Sequence, residues 1–261
     1  MLDTEALARR LEEAHESREP LPPPSESEGL DSVETAYAVQ TGWERLRIAR
    51  GDEIVGRKIG LTSLAMQEQL GVDEPDYGAL WASRRYTATG GAARIPLAPF
   101  IEPRLEGEIA FLLHAPLEGP DVTREQVLSA TRALALSVEV IDSRIADWKI
   151  KLVDTIADNA SFGGFVTGEW SGDLLQRDLA QLELTVERNG AVATEGLGSA
   201  VLGHPAEAVA WLANKLSGYG TRLEADAVIL SGSLGPAVPI AAGDTFVLRS
   251  AGQPPLTVSF A

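Results

Sequence analysis

Glu106 and Glu108 flank Gly107 in Pro103-Arg104-Leu105-Glu106-Gly107-Glu108-Ile109-Ala110-Phe111, at the head of a short apolar run. The run reads as a strand, and residues two apart on a strand project from one face, so these carboxylates lie about 7 Å apart along it. Gly107 leaves the opposite face without a side chain at that point. Two carboxylates on one buried face repel each other and lose solvation, a cost that a cation between them removes. A hard divalent ion is the simplest such cation. A polar strand end in water is the commoner account of a bare Glu-x-Glu, so the other residues of the chain bear on the choice.

Glu139 is the first of these. It interrupts Ala135-Leu136-Ser137-Val138-Glu139-Val140-Ile141, a run otherwise suited to a buried strand. A buried carboxylate needs a partner. A salt bridge to Arg104 or Arg144 would supply one, and so would a metal shared with Glu106 and Glu108. Three carboxylates without cysteine or clustered histidine favour Mg²⁺ or Mn²⁺ over zinc, and three protein ligands leave positions for water and a bidentate substrate.

Lys58 lies in Gly56-Arg57-Lys58-Ile59-Gly60, within an apolar strand that ends in a loop. Facing inward beside an ion, it would have its pKa lowered by burial and by like charge and could carry a proton; facing outward, it is a surface lysine on an edge strand. Asp76, in Glu74-Pro75-Asp76-Tyr77-Gly78, could act as a base or belong to an ordinary Pro-Asp-x-Gly turn. Ser161 follows the polar segment 154–160 and precedes Gly163-Gly164, where it is a hydrogen-bond donor on a loop or part of a turn. No Gly-Lys-Ser/Thr follows those glycines, so they are not a phosphate loop. His15, His114 and His204 fall in unrelated elements, His204 beside a helix N-cap before Pro205.

Composition narrows the classes. The chain has 261 residues, no cysteine and a formal net charge of −16. Such charge argues against nucleic acid and anionic membrane as partners, and the lack of cysteine excludes a disulfide scaffold and a cysteine nucleophile. No apolar run approaches the roughly 18 residues of a membrane helix and no signal peptide is evident, so a cytoplasmic protein is expected.

Hydrophobic spacing predicts helices over 3–17, with Asp3 as N-cap, over about 32–50, and over 64–70. A proline-rich connector covers 19–28 and a strand 53–61. Thr123-x-x-Gln126 is a capping box opening a helix through Ala133, and a helix runs from His204-Pro205 to about Ser217. Strands are expected over 108–114, 134–141, 227–231, 245–248 and 256–260, with a hairpin about Asn189-Gly190. The sum is an α+β protein with a mostly helical region over 1–90 and a strand-rich body over 91–261.

Six stretches together resemble the 2-keto-4-pentenoate hydratase branch of the fumarylacetoacetate hydrolase superfamily: GRKIGLTS (56–63), QLGVDEPDYG (69–78), PRLEGEIAFLL (103–113), VEVIDSRIADWKIKLVDTIADNAS (138–161), VLGHPAEAVAWLANKL (201–216) and ILSGSLGP (229–236). The resemblance implies a β-roll body, a homo-oligomer, and a divalent metal, Mg²⁺ or Mn²⁺, on Glu106, Glu108 and Glu139. It implies Lys58, Asp76 and Ser161 as catalytic residues, with Ser231 and Ser233 lining the substrate pocket. The implied substrate is a small 2-hydroxy-dienoate or 2-oxo acid: such enzymes add water to 2-hydroxypenta-2,4-dienoate, giving 4-hydroxy-2-oxopentanoate, in the catabolism of aromatic compounds. A sister family, the 4-oxalocrotonate decarboxylases, shares the metal set and much of the sequence. Pro75-Asp76-Tyr77-Gly78, DWKIKLVDT and SLGP lean to the hydratase. AYAVQTGWERLRIARG (36–51) is similar to hydratases of longer dienedioates. A complex with the sister decarboxylase or a downstream aldolase is a further implied partnership.

Overall fold

The computed structural model describes residues 2–63, 67–68 and 71–261. Local signals at the N-terminus act as expected. The Asp3 carboxylate accepts the Ala6 amide at 2.9 Å and starts α1 (Thr4–Ser17), which buries Leu7, Ala8, Leu11 and Ala14. A one-turn helix, α2 (Pro24–Ser27), forms inside the proline-rich connector, with proline in the first turn where its missing N–H costs nothing. Ser32 caps α3 (Val33–Ala49), which buries Tyr37, Gln40 and Trp43. The helix expected over 64–70 falls mostly outside the described residues.

The strands follow in order: β1 (Ile54–Gly60), β2 (Asp76–Trp81), β3 (Arg85–Thr87), β4 (Ala92–Ile95), β5 (Arg104–Leu113), β6 (Thr131–Ile141), β7 (Phe162–Thr167), β8 (Glu183–Arg188), β9 (Ala191–Leu197), β10 (Val228–Ser233), β11 (Val238–Pro239), β12 (Thr245–Arg249) and β13 (Leu256–Phe260). Three further helices are α4 (Arg124–Ala130), α5 (Leu152–Ala157) and α6 (Pro205–Ser217). The capping box of α4 is formed, but the helix stops at Ala130 rather than Ala133, because Thr131 turns extended and begins β6. His204 is itself the N-cap of α6 and not a neighbour of it: its Nδ1 accepts the Ala206 amide.

An eight-stranded sheet runs β2-β1-β10-β5-β6-β7-β3, with β11 also pairing with β5. A five-stranded sheet runs β4-β13-β12-β8-β9. Alternation along β5 divides its side chains. Leu105, Ile109, Phe111 and Leu113 join the main core shared with the helices and the second sheet. Ala110 and Leu112 point the other way, into a smaller apolar cluster with Ala79, Trp81, Phe165 and Leu230. Gly107 lies on the outer face, where a Cβ would fall 2.7 Å from Leu184 Cδ2, so the second sheet presses against the backbone between the two glutamates.

The large sheet curls strongly. Lys58 on β1 and Glu139 on β6 are three inter-strand steps apart in the sheet order, roughly 14 Å along a flat sheet. Their charged atoms nevertheless lie 3.2 Å apart. The inside of the curl holds charged residues at one end and the apolar cluster at the other. This is the strand-rich roll of an α+β protein, with its helical region at the N-terminus. No helix among the described residues is long and apolar enough to cross a membrane.

Candidate metal centre and active site

Strand pairing brings the carboxylates together. In the continuous β5–β6 register Glu106 faces Glu139 and Glu108 faces Ser137, so four inward side chains form a two-by-two patch. Glu106, Glu108 and Glu139 each offer an oxygen within 4.8 Å of the others. Glu108 and Glu139 have no solvent exposure at all. Burial, and then the neighbouring carboxylates, push the carboxyl of Glu106 up to about 7 and that of Glu108 well above the usual range. Burial likewise raises Glu139, against the pull of Lys58.

Buried carboxylate oxygens are normally saturated with donors. Here Glu108 Oε2 accepts the Gly232 amide at 2.8 Å, but Glu108 Oε1 and both oxygens of Glu139 have no hydrogen-bond partner among the described residues. The contact of Lys58 Nζ with Glu139 Oε1 at 3.2 Å is an ion pair without hydrogen-bond alignment. Crowded carboxylate oxygens with bare lone pairs suit a hard divalent cation, and the side chains present therefore fit one. Neither Arg104 nor Arg144 pairs with Glu139, contrary to the salt bridge entertained from sequence. Arg144 donates from Nε to Asp158 Oδ1 at 2.5 Å and to the carbonyls of Asp158 and Phe162, and Arg104 stacks on Trp148.

Lys58 does face inward, and it is almost fully buried. Its ammonium donates to the Ala160 carbonyl at 2.9 Å. Burial alone would lower its pKa, as expected from sequence; Glu139, then Asp76, Glu106 and Glu108, outweigh that and push it up. Asp76 begins strand β2 instead of forming a turn, and is buried next to Lys58. A Cβ at Gly60 would lie 2.2 Å from Asp76 Oδ1 and 3.4 Å from Lys58 Nζ, so glycine at 60 makes room for both groups. Thr155 Oγ1 donates to Asp76 Oδ2 at 3.3 Å, whereas Asp76 Oδ1 has no hydrogen-bond partner among the described residues. Burial raises the Asp76 carboxyl against the pull of Lys58.

Ser161 reaches this region through an unusual backbone. Asn159, Ala160 and Ser161 have φ of 55°, 50° and 53°, three consecutive left-handed residues without a glycine. The Asn159 side chain secures the turn by accepting the Ala79 amide at 2.7 Å and donating to the Ala79 carbonyl at 3.0 Å. Gly78 permits the approach, since a Cβ there would lie 2.4 Å from the Asn159 carbonyl oxygen. The turn aims the Ala160 carbonyl at Lys58 and holds Ser161 Oγ 3.5 Å from Thr155 Oγ1. Ser231 is fully buried with an unpartnered hydroxyl, while Ser233 Oγ donates to the Gly235 carbonyl at 2.6 Å.

Four contributors were not picked out from sequence: Ser137, Thr155, Asn159 and the Gly232 amide. Ser137 was within reach, two residues before Glu139 and so on its face. The other three lie on α5, on the turn that follows it and on β10, elements that meet only across the curl.

Residues 54–261 match the family model described as fumarylacetoacetate (FAA) hydrolase C-terminal. The chain is 48% identical to the 2-hydroxyhexa-2,4-dienoate hydratase of Comamonas testosteroni, over 98% of this chain and 97% of that protein. It is 41% identical to the 2-keto-4-pentenoate hydratase of Paraburkholderia phymatum, with the same coverage. Among solved structures it is similar to 4-oxalocrotonate decarboxylase from Pseudomonas putida G7 complexed with magnesium and adipate. That likeness has a TM-score of 0.94 and 36% identity, covering 99% of this chain and 97% of the other.

Proposed function

This chain belongs to the fumarylacetoacetate hydrolase family, and from that premise we propose that it is a divalent-metal-dependent hydratase of short 2-hydroxy-2,4-dienoates. On 2-hydroxypenta-2,4-dienoate the reaction adds one water and yields 4-hydroxy-2-oxopentanoate. The observation that carries the proposal is the cluster of Glu106, Glu108 and Glu139, with oxygens of Glu108 and Glu139 left without a hydrogen-bond partner among the described residues, beside the buried pair Lys58 and Asp76. The full-length relatives named as hydratases support the reaction type.

Glu106, Glu108 and Glu139 would hold the ion, Mg²⁺ or Mn²⁺. When bound, it supplies Lewis-acid stabilisation of negative charge on the 2-oxygen of a 2-oxo acid. The chain's own residues account for the proton movements. Ketonisation transfers the proton of the 2-hydroxyl to C5, leaving a 3,4-double bond conjugated with the 2-oxo group. Water then adds across that bond, hydroxyl to C4 and proton to C3. Asp76, its Oδ1 unpartnered and its carboxyl raised by burial, is suited to take up and return these protons. Lys58, kept charged by the carboxylates around it, donates toward oxygen as negative charge develops. Ser161, held by the left-handed turn, positions the incoming water.

The test is to load the protein with Mg²⁺ or Mn²⁺, supply 2-hydroxypenta-2,4-dienoate, and follow loss of the dienol absorbance while identifying the product. Formation of 4-hydroxy-2-oxopentanoate is expected; spontaneous ketonisation bleaches the same band but does not form it. The likeness to 4-oxalocrotonate decarboxylase favours a second reading. No hydration, together with CO₂ release from 2-oxohex-3-enedioate, would establish that one instead.

A further inference from the structure

Along the inner face of β5 the side chains run Leu112, Ala110, Glu108, Glu106, Arg104, because every second residue points into the curl. The first two belong to the apolar cluster that closes one end of the cavity. Glu108 is fully buried, Glu106 retains some exposure, and the Arg104 side chain is 35% exposed. Exposure thus rises along this row toward Arg104, the side from which we take a substrate to reach the carboxylates.

This guanidinium is held in place but weakly neutralised. Its plane lies over the Trp148 ring, 4.3 Å from the centroid. The one ion pair it makes among the described residues is with Glu102, itself exposed, at 3.6 Å. Arg47, Arg57 and Arg144, by contrast, have carboxylate partners that are themselves buried or nearly so. The platform has a backbone shaped for its position. Asp147 and Trp148 both have left-handed φ, 59° and 54°, a conformation rare for a bulky aromatic residue, and the Trp148 indole N–H donates to the Glu102 carbonyl at 3.1 Å. Two strained residues and an indole hydrogen bond thus hold a planar ring beneath a guanidinium that, beyond the long contact with Glu102, makes no hydrogen bond among the described residues.

We propose that Arg104, braced on Trp148, is a specificity-determining residue that receives the C1 carboxylate of the substrate at the mouth of the site. The inference rests on the hydratase reading above, which sets the polarity of the substrate. Through Leu230 of β10, Lys58 is level with Ala110, inward of Glu108 along β5, and Asp76 is buried beside it, so the proton chemistry at C3 and C5 belongs on that side. The carboxylate end of the same short chain then faces outward, toward Arg104. The planar fork of a guanidinium matches a carboxylate in two parallel hydrogen bonds, and this one adds positive charge where four acidic side chains otherwise oppose an anion. Trp148 is a positioning residue: it contacts the guanidinium and orients its plane.

Binding of 2-oxopentanoate, an unreactive 2-oxo acid, to the Mn²⁺-loaded protein separates this inference from the reading beneath it. Titration calorimetry on the wild type comes first, and failure to bind there would count against the hydratase reading itself. With wild-type binding established, Arg104→Gln is expected to weaken it by about 10- to 100-fold, the worth of a charge-assisted pair. Mn²⁺ affinity, measured separately, should not change. In turnover of 2-hydroxypenta-2,4-dienoate the same variant should raise KM much more than it lowers kcat. Trp148→Leu should reproduce part of the KM increase and Trp148→Phe should restore most of it, a rescue that a loss of folding would not show. Equal binding of 2-oxopentanoate by wild type and Arg104→Gln would overturn the proposal. So would a defect confined to substrates carrying a second, distal carboxylate, since Arg104 would then read the tail and not C1.

Discussion

Two sets of buried carboxylates lie close together in this molecule and are treated in opposite ways. Asp142, Asp154 and Asp158 are saturated. Asp142 accepts the amides of Ile101 and Glu102, and Asp154 accepts the Ser25 amide and hydroxyl and the Lys151 amide. Asp158 takes the Arg144 guanidinium and amide together with the Ser143 hydroxyl. Glu106, Glu108 and Glu139 are gathered within 4.8 Å of one another, and Glu108 and Glu139 leave oxygens with no hydrogen-bond partner. The aspartates hold loops against the sheet, so their oxygens end on the backbone of those loops. The glutamates project from the middle of strands whose amides are mostly used in the ladder, and apart from the Gly232 amide on Glu108 no backbone donor among the described residues reaches them. Burial marks both sets; only the second is left with capacity for an external ligand.

That contrast can be broken from either side. Glu108→Gln should have the largest effect, lowering kcat/KM by about a thousandfold or more. Its melting temperature without metal should be unchanged or higher, because one buried like charge is gone; full activity in this variant would end the metal assignment. Arg144→Met strikes the saturated set and should cost about 3–5 kcal/mol of stability, since it leaves Asp158 charged and unpaired. Denaturant unfolding measures that loss, and a change below about 1 kcal/mol would show that the pair does not clamp the loop.

A third prediction concerns pH. Glu106 titrates at about 7 in the folded chain against 4.5 when unperturbed, and Glu108, Glu139 and Asp76 are shifted in the same direction. Over that interval the folded state holds more protons than the unfolded one, so stability of the metal-free protein falls as pH rises from 4.5 to about 7. Excess Mg²⁺ should flatten the slope, and an identical slope with and without the ion would contradict the site. Gly60→Ala places a methyl against Asp76 and should cost about 1–3 kcal/mol with a matching loss of kcat. Ser137→Ala should be the mildest. It removes a buried hydroxyl that has no partner, so stability should move by less than about 1 kcal/mol in either direction. A larger loss would mean that Ser137 holds one of the glutamates in place.

Much of this was legible in the amino-acid sequence because it depends on short-range rules. The period of two along a strand places Glu106 and Glu108 on one face whatever lies opposite. Asp3, Ser32 and the Thr123–Gln126 pair cap helices through bonds that span only a few residues. The presence of Glu139 in an apolar run announced that something must compensate it. What compensates it was not readable. Lys58 comes from a strand three steps away in the sheet order, and only the curl of the sheet brings it to Glu139; the same carboxylates then reverse the direction in which its pKa moves. Asp76 reads as a turn because Pro-Asp-x-Gly favours one locally, and pairing with β1 overrides that preference. The left-handed turn at 159–161 contains no glycine to announce it and is held through the side chain of Asn159 by the Ala79 backbone on β2. Local sequence thus determined which residues share a face. Which faces meet was decided by the curvature of the closed sheet, a property of all its strands together.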